Sequence, residues 1–283
     1  MRWNKLGIIA GGGTLPLALA AACESRSVPF VVIRLAGYAD EAARKYDGVE
    51  INLGEAGKLT RYLKDAKCDA VVMAGMVRRP DFSKLKPDWR VAALLPRLVA
   101  AAAKGDGALL SVIVDSFEAE GVKVIGADEV ASDLAVGAGV LGDIKPHASH
   151  LSDVKKAVAV IDALGPFDVG QGAVVASGLV LAIEAAEGTD MMLQRCVAFP
   201  DALRGGEGRR GVLVKRPKPG QELRIDLPTF GLETIRGAAA ANLAGIAVEA
   251  KRALFLDAEQ AIAEANKLGL FLFGFTADDL VDG

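Results

Sequence analysis

The sequence predicts an α/β protein in which a Rossmann-like, parallel-sheet domain at the N-terminus is followed by a mixed α/β domain. Short β-branched runs alternate with helical patterns in the first half of the chain, as in KLGIIA, LPLALAAACESR and PFVVIRL. A glycine-rich stretch at 137–150 ends this alternation, and the chain resumes with a helix and a β-hairpin pattern. Strands that alternate with crossover helices favour a parallel sheet, whereas a hairpin adds an antiparallel pair.

The N-terminal domain is predicted to span residues 1–140. Helices are expected at 15–26, near 39–46, at 57–66 and through 90–120, between the strands KLGIIA, PFVVIRL, VEINL, CDAVVMAG and VKVIGA. Helices are therefore expected on both faces of the sheet. Ligands of such sheets bind at the carboxyl ends of the strands, so the loops at those ends are the first places to seek a site.

The C-terminal domain is predicted to span residues 150–283, after a linker at 141–149. Its first helix, SDVKKAVAVIDALG, closes at Gly165, and the strands GAVVA and LVLAIEA are joined by a Ser177-Gly178 turn. Strands are then expected at GVLVK, GIAVEA and LFLFGF, with helices at 232–241 and 258–267. His147 and His150 lack the further ligand spacing of a zinc site and are expected to be solvent-facing linker residues.

Composition indicates a cytoplasmic globular protein. The chain has 283 residues, 52% apolar side chains and a net charge of -3, which gives no basic face for nucleic acid. Three widely spaced cysteines fit neither a disulfide framework nor a structural zinc site. The most apolar helical stretch, at 91–103, is shorter than the roughly 20 residues that span a bilayer. The apolar excess is therefore attributed to an alanine-rich core or to an apolar groove for a lipid.

The first candidate site is the motif GGGTLP, between a strand and a helix. Gly11, Gly12 and Gly13 allow backbone N–H groups to approach an anion, and Thr14 is placed to cap the helix. The motif departs from both the dinucleotide-binding fingerprint and the P-loop, which indicates a phosphate or nucleotide site of another kind. The alternative is a tight turn that feeds a packed helix.

A second candidate site follows the strand CDAVVMAG on the same edge of the sheet. There the chain presents Gly75, Arg78 and Arg79, which favour an anion, although a solvated basic turn is equally compatible. Between two later helices, Asp106 in KGDGALL is expected to be an ordinary helix cap.

Two motifs of the second domain carry oxygen ligands and amides. DVGQGAVV contains Gln171, and EAAEGTD contains Glu184, Glu187, Thr189 and Asp190 at a strand exit. Carboxylates and a hydroxyl are the hard ligands that Mg²⁺ prefers. The alternative is helix-start chemistry, with Thr189 or Asp190 as the cap of the helix MMLQRCVAF.

The most unusual segment is GVLVKRPKPGQELRIDLPTFG at 211–231. Prolines stiffen the loop that carries Lys215 and Lys218, so these cations are held at a low entropic cost. Asp226 lies in an apolar run, where a carboxylate seldom occurs without a function such as metal ligation or general-base catalysis. The alternatives for Asp226 are an ion pair with Arg224 and a capped turn.

Taken together, these motifs resemble one bacterial family, the UDP-2,3-diacylglucosamine pyrophosphatases of the LpxI type. The resemblance covers nearly the whole chain, and the long lysine-proline-aspartate segment is its most specific part. The motifs that carry it occur in the order GGGTLP, AGMVRRP, KGDGALL, DVGQ, EAAEGTD, GVLVKRPKPGQELRIDLPTFG and GIAVEA. The chain departs from the family pattern mainly at Met76, where a lysine or another polar residue is expected.

The resemblance implies an N-terminal domain that takes the nucleotide, a C-terminal domain that takes the acylated sugar, and a reaction zone between them. It implies that Asp226 is the catalytic aspartate and that Mg²⁺ is required. Water is expected to attack the sugar-side phosphorus, and the products are expected to be UMP and 2,3-diacylglucosamine 1-phosphate (lipid X). The expected metal ligands are Asp190 and Asp226. The expected substrate-binding residues are Gly11, Gly12, Gly13, Thr14, Gly75, Arg78, Gln171, Thr189, Lys215 and Lys218.

A lipid-linked UDP-sugar substrate further implies reversible, peripheral contact with the inner membrane. A homodimer is among the expected oligomeric states, and no nucleic-acid partner is expected. Two rival functions remain. A nucleotide-binding module without hydrolysis would need only the glycine loop, and a UDP-sugar transferase would form a glycoside instead of releasing UMP.

Overall fold

The computed structural model describes residues 3–78 and 85–281. The chain divides into two compact units. Unit 1 comprises Met1–Ser132 together with Glu222–Asp226, and unit 2 comprises Asp133–Gln221 and Leu227–Gly283. Unit 1 is therefore discontinuous in sequence, because it contains a five-residue segment from late in the chain. The expected limits of independently folding domains, 1–140 and 150–283 with a linker at 141–149, stay a prediction.

The described part of unit 1 contains a five-stranded parallel sheet, which confirms the predicted fold class of this half. Its strands are β1 (Leu6–Ala10), β2 (Phe30–Leu35), β3 (Gly48–Ile51), β4 (Ala70–Ala74) and β5 (Lys123–Val124), in the order β3-β2-β1-β4-β5. The strand order changes direction between β1 and β4. In doubly wound sheets this is the point where ligands bind, outside the carboxyl ends of the strands.

The helices of unit 1 connect these strands as the alternating pattern predicts. They are α1 (Leu15–Ser25), α2 (Ala56–Asp65), α3 (Trp89–Ala102), α4 (Asp106–Glu118) and α5 (Ala127–Val130), with 3-10 turns at Glu41–Lys45 and Ser132–Leu134. The predicted helix near 39–46 is thus a short 3-10 turn. Buried β-branched side chains such as Ile9, Ile33 and Val71 form the core between sheet and helices. Apolar burial of this kind stabilises the unit at about 25 cal/mol per Å².

Unit 2 contains a six-stranded mixed sheet, as the predicted hairpin requires. The strands are β6 (Gly139–Val140), β7 (Gly172–Ala176), β8 (Leu179–Ile183), β9 (Val212–Lys215), β11 (Gly245–Glu249) and β13 (Phe271–Phe275), while β10 (Thr229–Phe230) pairs with β12 (Leu254–Phe255). The six strands follow the order β6-β13-β11-β9-β7-β8, and β9, β11 and β13 are parallel to one another. The turn Ser177-Gly178, with φ of 50° and 79°, confirms the predicted hairpin.

Helices cover both faces of the unit 2 sheet. They are α6 (Ala148–Leu164), α7 (Gly188–Val197), α8 (Asp201–Arg204), α9 (Leu232–Ala240) and α10 (Ala258–Leu268), with 3-10 turns at Gly165–Phe167 and Asp278–Leu280. Alternate residues of β9 point to opposite faces, so Leu213 and Val214 belong to different core clusters. The expectation that His150 is a linker residue is wrong, because it lies in α6 and its ring stacks on Phe271 at 5.1 Å. No helix among the described residues is long and apolar enough to cross a bilayer.

Candidate active site

In unit 1, the two predicted loops at the change of strand order lie side by side. The N–H of Gly12 donates to the carbonyl oxygen of Met76 at 2.9 Å, and the N–H of Met76 donates to the carbonyl oxygen of Gly12 at 2.7 Å. The N–H of Gly11 donates to the carbonyl oxygen of Ala74 at 2.8 Å. The structure therefore brings the loop after β1 and the loop after β4 together, as the parallel sheet predicts.

Glycine is needed in these loops because the two backbones approach each other closely. A Cβ atom on Gly11 would lie 2.7 Å from the Met76 carbonyl oxygen, and one on Gly75 would lie 2.5 Å from the Gly12 carbonyl oxygen. Gly75 also has a φ of +88°, which favours glycine. A side chain at either position would push the loops apart, so the glycines maintain the close pairing.

The third glycine of the motif contacts a carboxylate that sequence reasoning missed. The N–H of Gly13 donates to Oδ2 of Asp40 at 2.8 Å, just before α1 begins. A negative charge is favoured there by the helix dipole. Asp40 is exposed and lies five residues after β2 ends, and no motif marked it in the sequence. The N–H groups of Gly11, Gly12 and Gly13 all donate within the protein, and their role toward a substrate anion stays a prediction.

The remaining predicted residues of unit 1 differ in how far the structure supports their expected roles. Thr14 precedes α1 without a side-chain capping hydrogen bond, so the capping role expected for it is wrong. Arg78 is exposed, and its carbonyl oxygen accepts from Tyr38 Oη at 3.4 Å. Arg79 lies outside the described residues. Asp106 is the first residue of α4, after Gly105, and is therefore not the cap that its sequence context predicts.

Asp226 belongs to the late segment of unit 1, and neighbouring side chains hold that segment in place. Ile225 packs against the core of unit 1. The N–H of the half-buried Asp226 donates to the carbonyl oxygen of Glu222 at 3.0 Å, which closes a turn. The guanidinium of Arg224 contacts the carboxylate of Glu222 at 2.7 Å and that of Glu118 at 2.6 Å. The segment is thus attached to α4 by an ion pair and to the core of unit 1 by an apolar contact.

The Arg224 contacts also change the acidity of their partners. Hydrogen bonds from the Arg224 side chain hold the pKa of Glu222 below its ordinary value, although partial burial opposes this shift. The same hydrogen bonds raise the pKa of Arg224. Glu222 therefore stays ionised to a lower pH than an ordinary glutamate, which maintains its ion pair with Arg224.

In unit 2, the structure brings Lys215 and Thr189 together. Lys215 ends β9 and is only 4% exposed. Its Nζ donates to Thr189 Oγ1 at 2.8 Å and to the carbonyl oxygen of Thr229 at 3.1 Å. Thr189 and Asp190 lie in the first turn of α7, whose N-cap residue is Glu187, so neither has the capping role that the sequence allows. The Thr189 hydroxyl instead fixes the position of a buried ammonium.

Lys218 and Gln171 form a second group next to Lys215. Lys218 Nζ contacts the Asp168 carboxylate, and the N–H of Lys218 donates to Gln221 Oε1 at 2.7 Å. Gln221 Nε2 donates to Gln171 Oε1 at 3.1 Å. The segments 168–171 and 215–221, which are far apart in sequence, are therefore joined in unit 2. Sequence reasoning missed Asp168 and Gln221 as the partners that hold the two candidate residues.

The expected metal ligands, Asp190 and Asp226, differ in their exposure. Asp190 is exposed and Asp226 is half-buried. Across residues 3–78 and 85–281, no three His, Cys, Asp or Glu side chains form a group that could hold a metal ion by themselves. Mg²⁺ commonly binds through one or two carboxylates together with substrate phosphates and water. A single carboxylate such as Asp190 or Asp226 could thus contribute one ligand to Mg²⁺ bound with a diphosphate, and metal ligation by these two residues stays a prediction.

Comparisons with known proteins cover almost the whole chain. The family model described as LpxI N-terminal domain matches residues 5–134, and the model described as LpxI C-terminal domain matches residues 137–273. A protein of Caulobacter vibrioides (strain ATCC 19089 / CIP 103742 / CB 15), named UDP-2,3-diacylglucosamine pyrophosphatase LpxI, is 51% identical over 272 residues. That similarity covers 96% of this chain and 97% of the relative. The chain therefore belongs to the LpxI family.

Proposed function

We propose that this chain hydrolyses the diphosphate of UDP-2,3-diacylglucosamine and releases UMP and lipid X. The observation that carries the proposal is the 51% identity, over 96% of the chain, to a relative named for this substrate. Because the similarity extends across both units, it includes the glycine loop, the Lys215 group and the Asp226 segment. The rival binding module needs only the first of these three.

The electrostatics of unit 2 suit an anionic substrate. A diphosphate resists hydrolysis because its oxygens repel the incoming nucleophile, so an active site must offset that charge. Lys215 is a buried ammonium whose direction is fixed by two neutral oxygens, those of Thr189 and Thr229. A fixed cation in a poorly solvated place interacts strongly with phosphate oxygens. Lys218 is paired with Asp168, which offsets part of its positive charge.

Asp226 is proposed as the residue that activates water or holds the metal. A general base must be held within hydrogen-bond reach of its water. The turn closed by Glu222 and the Arg224 contacts fix the backbone segment that carries this carboxylate. Mg²⁺, when bound with the diphosphate by Asp226 and Asp190, would supply further positive charge at the phosphate oxygens.

The proposed reaction is a single displacement. Water attacks the sugar-side phosphorus, the bond from that phosphorus to the bridging oxygen breaks, and UMP leaves with the bridging oxygen. The water proton passes to Asp226. The new oxygen atom is then found in the phosphate of lipid X.

The lipid nature of this substrate also suggests where the protein works. We propose a cytoplasmic enzyme with reversible contact to the inner membrane surface, since the substrate has a soluble head and apolar chains. A flotation assay with anionic vesicles, at low and high salt, tests the membrane contact. Analytical ultracentrifugation of the purified protein tests the proposed homodimer.

The first test of the activity is an assay of the purified protein with UDP-2,3-diacylglucosamine and Mg²⁺ in ¹⁸O-labelled water. We expect UMP release that EDTA stops and a label that appears in lipid X. Label in UMP would contradict the proposed side of attack. Nucleotide binding without any release would favour the binding module, and a glycoside product would favour a transferase.

A further inference from the structure

Glu184, Gly172 and Lys215 lie side by side across three strands of unit 2. The N–H of Glu184, just after β8, donates to the carbonyl oxygen of Gly172 at 2.8 Å, and Gly172 pairs with Lys215 of β9. Residues paired directly across strands point to the same face, with Cβ positions about 4.5–5.5 Å apart. Glu184 and Lys215 therefore project from the same face on either side of a residue that has no side chain.

The Glu184 carboxylate lies over Gly172. A Cβ atom on Gly172 would be 2.4 Å from Glu184 Oε2, and its next neighbours, at 3.5 and 3.6 Å, are also atoms of the Glu184 side chain. The φ of Gly172 is not in the left-handed region, so the backbone itself does not require glycine. The physical reason for glycine at this position is the space that the carboxylate occupies.

The two charged side chains of this cross-strand row, Glu184 and Lys215, are unusually buried. Glu184 is 7% exposed and Lys215 is 4% exposed. Two other buried charged residues have roles in the fold, because Asp153 accepts from the Ser177-Gly178 turn and Arg204 pairs with Asp201. By contrast, Glu184 Oε2 is buried without a hydrogen-bond partner among the described residues.

A buried carboxylate is costly unless an opposite charge lies nearby. Lys215 is the buried cation of the same cross-strand row, on the other side of Gly172. We propose that Glu184 is a positioning residue for Lys215: the two buried side chains of opposite charge attract each other along this row, and the carboxylate keeps the ammonium directed at the substrate diphosphate. This inference rests on the proposed function.

The test is a double-mutant cycle between Glu184 and Lys215. We expect Glu184→Gln to lower kcat by about ten- to a hundredfold, the range typical of residues that orient a catalytic group through hydrogen bonds or charge. In a Lys215→Met background the same change should cause no further loss, because the group it positions is gone. Glu207→Gln removes the same charge from an exposed site of unit 2 and should leave kcat unchanged.

A second variant moves the carboxylate without removing its charge. Gly172→Ala places a methyl group where Glu184 Oε2 lies, so the flexible end of Glu184 must shift. We expect a several-fold loss of kcat with an unchanged unfolding midpoint. In a Glu184→Ala background, where the space is open, Gly172→Ala should have no effect. An effect of equal size in both backgrounds would mean that Gly172 acts through the backbone, which overturns this part of the inference.

The outcomes separate the inference from the proposed function. If the wild-type protein hydrolyses the substrate and Glu184→Gln keeps full activity, or lowers it equally with and without Lys215, the positioning role is wrong while the function stands. If the wild-type protein shows no turnover, the proposed function fails, and urea unfolding of the same four proteins decides the inference. If the double variant loses less unfolding free energy than the sum of the two single variants, the charge pairing is supported. If the losses of the two single variants add up to that of the double variant, it is overturned.

Discussion

Arg224 and Glu118 are separated by 106 residues in sequence, yet Nη1 of Arg224 lies 2.6 Å from Oε1 of Glu118. The contact attaches the Asp226 segment to the end of α4 within unit 1. Asp226 is therefore positioned by residues that precede it by more than a hundred positions. A candidate catalytic group that is held in this way should be sensitive to changes that do not touch it.

Asp226→Asn should lower kcat by about 10²–10⁴-fold, since it removes the proposed base or metal ligand without changing the shape of the side chain. Substrate binding and the unfolding midpoint should stay near wild-type values. Single-turnover kinetics and calorimetric binding measure the two separately. A folded Asp226→Asn protein with full activity would remove Asp226 from the mechanism.

Glu118→Gln should lower kcat by about two- to fivefold, because it weakens a half-exposed ion pair that orients the Asp226 turn. The difference in kcat between the wild type and Glu118→Gln should shrink at high salt, because screening already weakens this ion pair in the wild type. Glu24→Gln, at an exposed position of α1, is the matched control. Equal kcat values for the two variants at low salt would argue against the positioning effect.

Thr189→Val should lower kcat/KM by about ten- to a hundredfold, because the buried ammonium of Lys215 loses a hydrogen-bond acceptor. Thr189→Ser keeps the hydroxyl and should stay within about threefold of wild type. Steady-state kinetics on the pair decide the point. If valine and serine behave alike, the hydroxyl does not matter and only the volume of residue 189 does.

Asp40→Asn should strengthen the binding of UMP by about two- to fivefold. The amide oxygen can still accept from the Gly13 N–H, while a negative charge beside the start of α1 is removed. Glu41→Gln, which neutralises the next residue, is the control. Weaker binding of UMP to Asp40→Asn would mean that the carboxylate itself contacts the ligand through a hydroxyl or another donor.

The stability that Glu222 contributes at neutral pH should be lost in acid. Its pKa in the folded protein is below its ordinary value, chiefly because the Arg224 side chain donates hydrogen bonds to it. A lowered carboxyl pKa adds stability above the unfolded value of about 4.3 and loses it as the pH falls through the folded value. Urea unfolding at a series of pH values should show a steeper acid decline for wild type than for Glu222→Gln. Parallel curves would contradict this assignment.

Much of the fold followed from local patterns. Alternating β-branched and helical runs predicted the parallel sheet of unit 1, and Ser177-Gly178 predicted the hairpin, because both depend on residues that are close in sequence. The very short strands β6, β10 and β12 were missed, since two residues carry no periodic signal. Helix caps were predicted less well, since Thr14 makes no side-chain capping hydrogen bond and Asp106 lies inside α4 after Gly105.

The candidate site depended more on distant contacts. Lys215 and Thr189 were both selected from sequence, but their 2.8 Å contact depends on how β9 and α7 pack. The roles of Asp40, Asp168 and Glu184 could be assigned only from their contacts in the structure, because the local sequence does not show which residues a carboxylate will contact. Attachment of Glu222–Asp226 to unit 1 could not be predicted, because no local pattern shows which core a short loop will join.

That five-residue loop has a consequence for biosynthesis. Residues 1–132 are synthesised well before residues 222–226. Unit 1 therefore lacks this segment while residues 133–221 of unit 2 are translated. Nascent domains usually fold in order of emergence. Here the carboxylate proposed for chemistry can join its unit only late, which delays assembly of a working enzyme until the chain is nearly finished. Cutting the gene between the halves would separate that carboxylate from the core it joins.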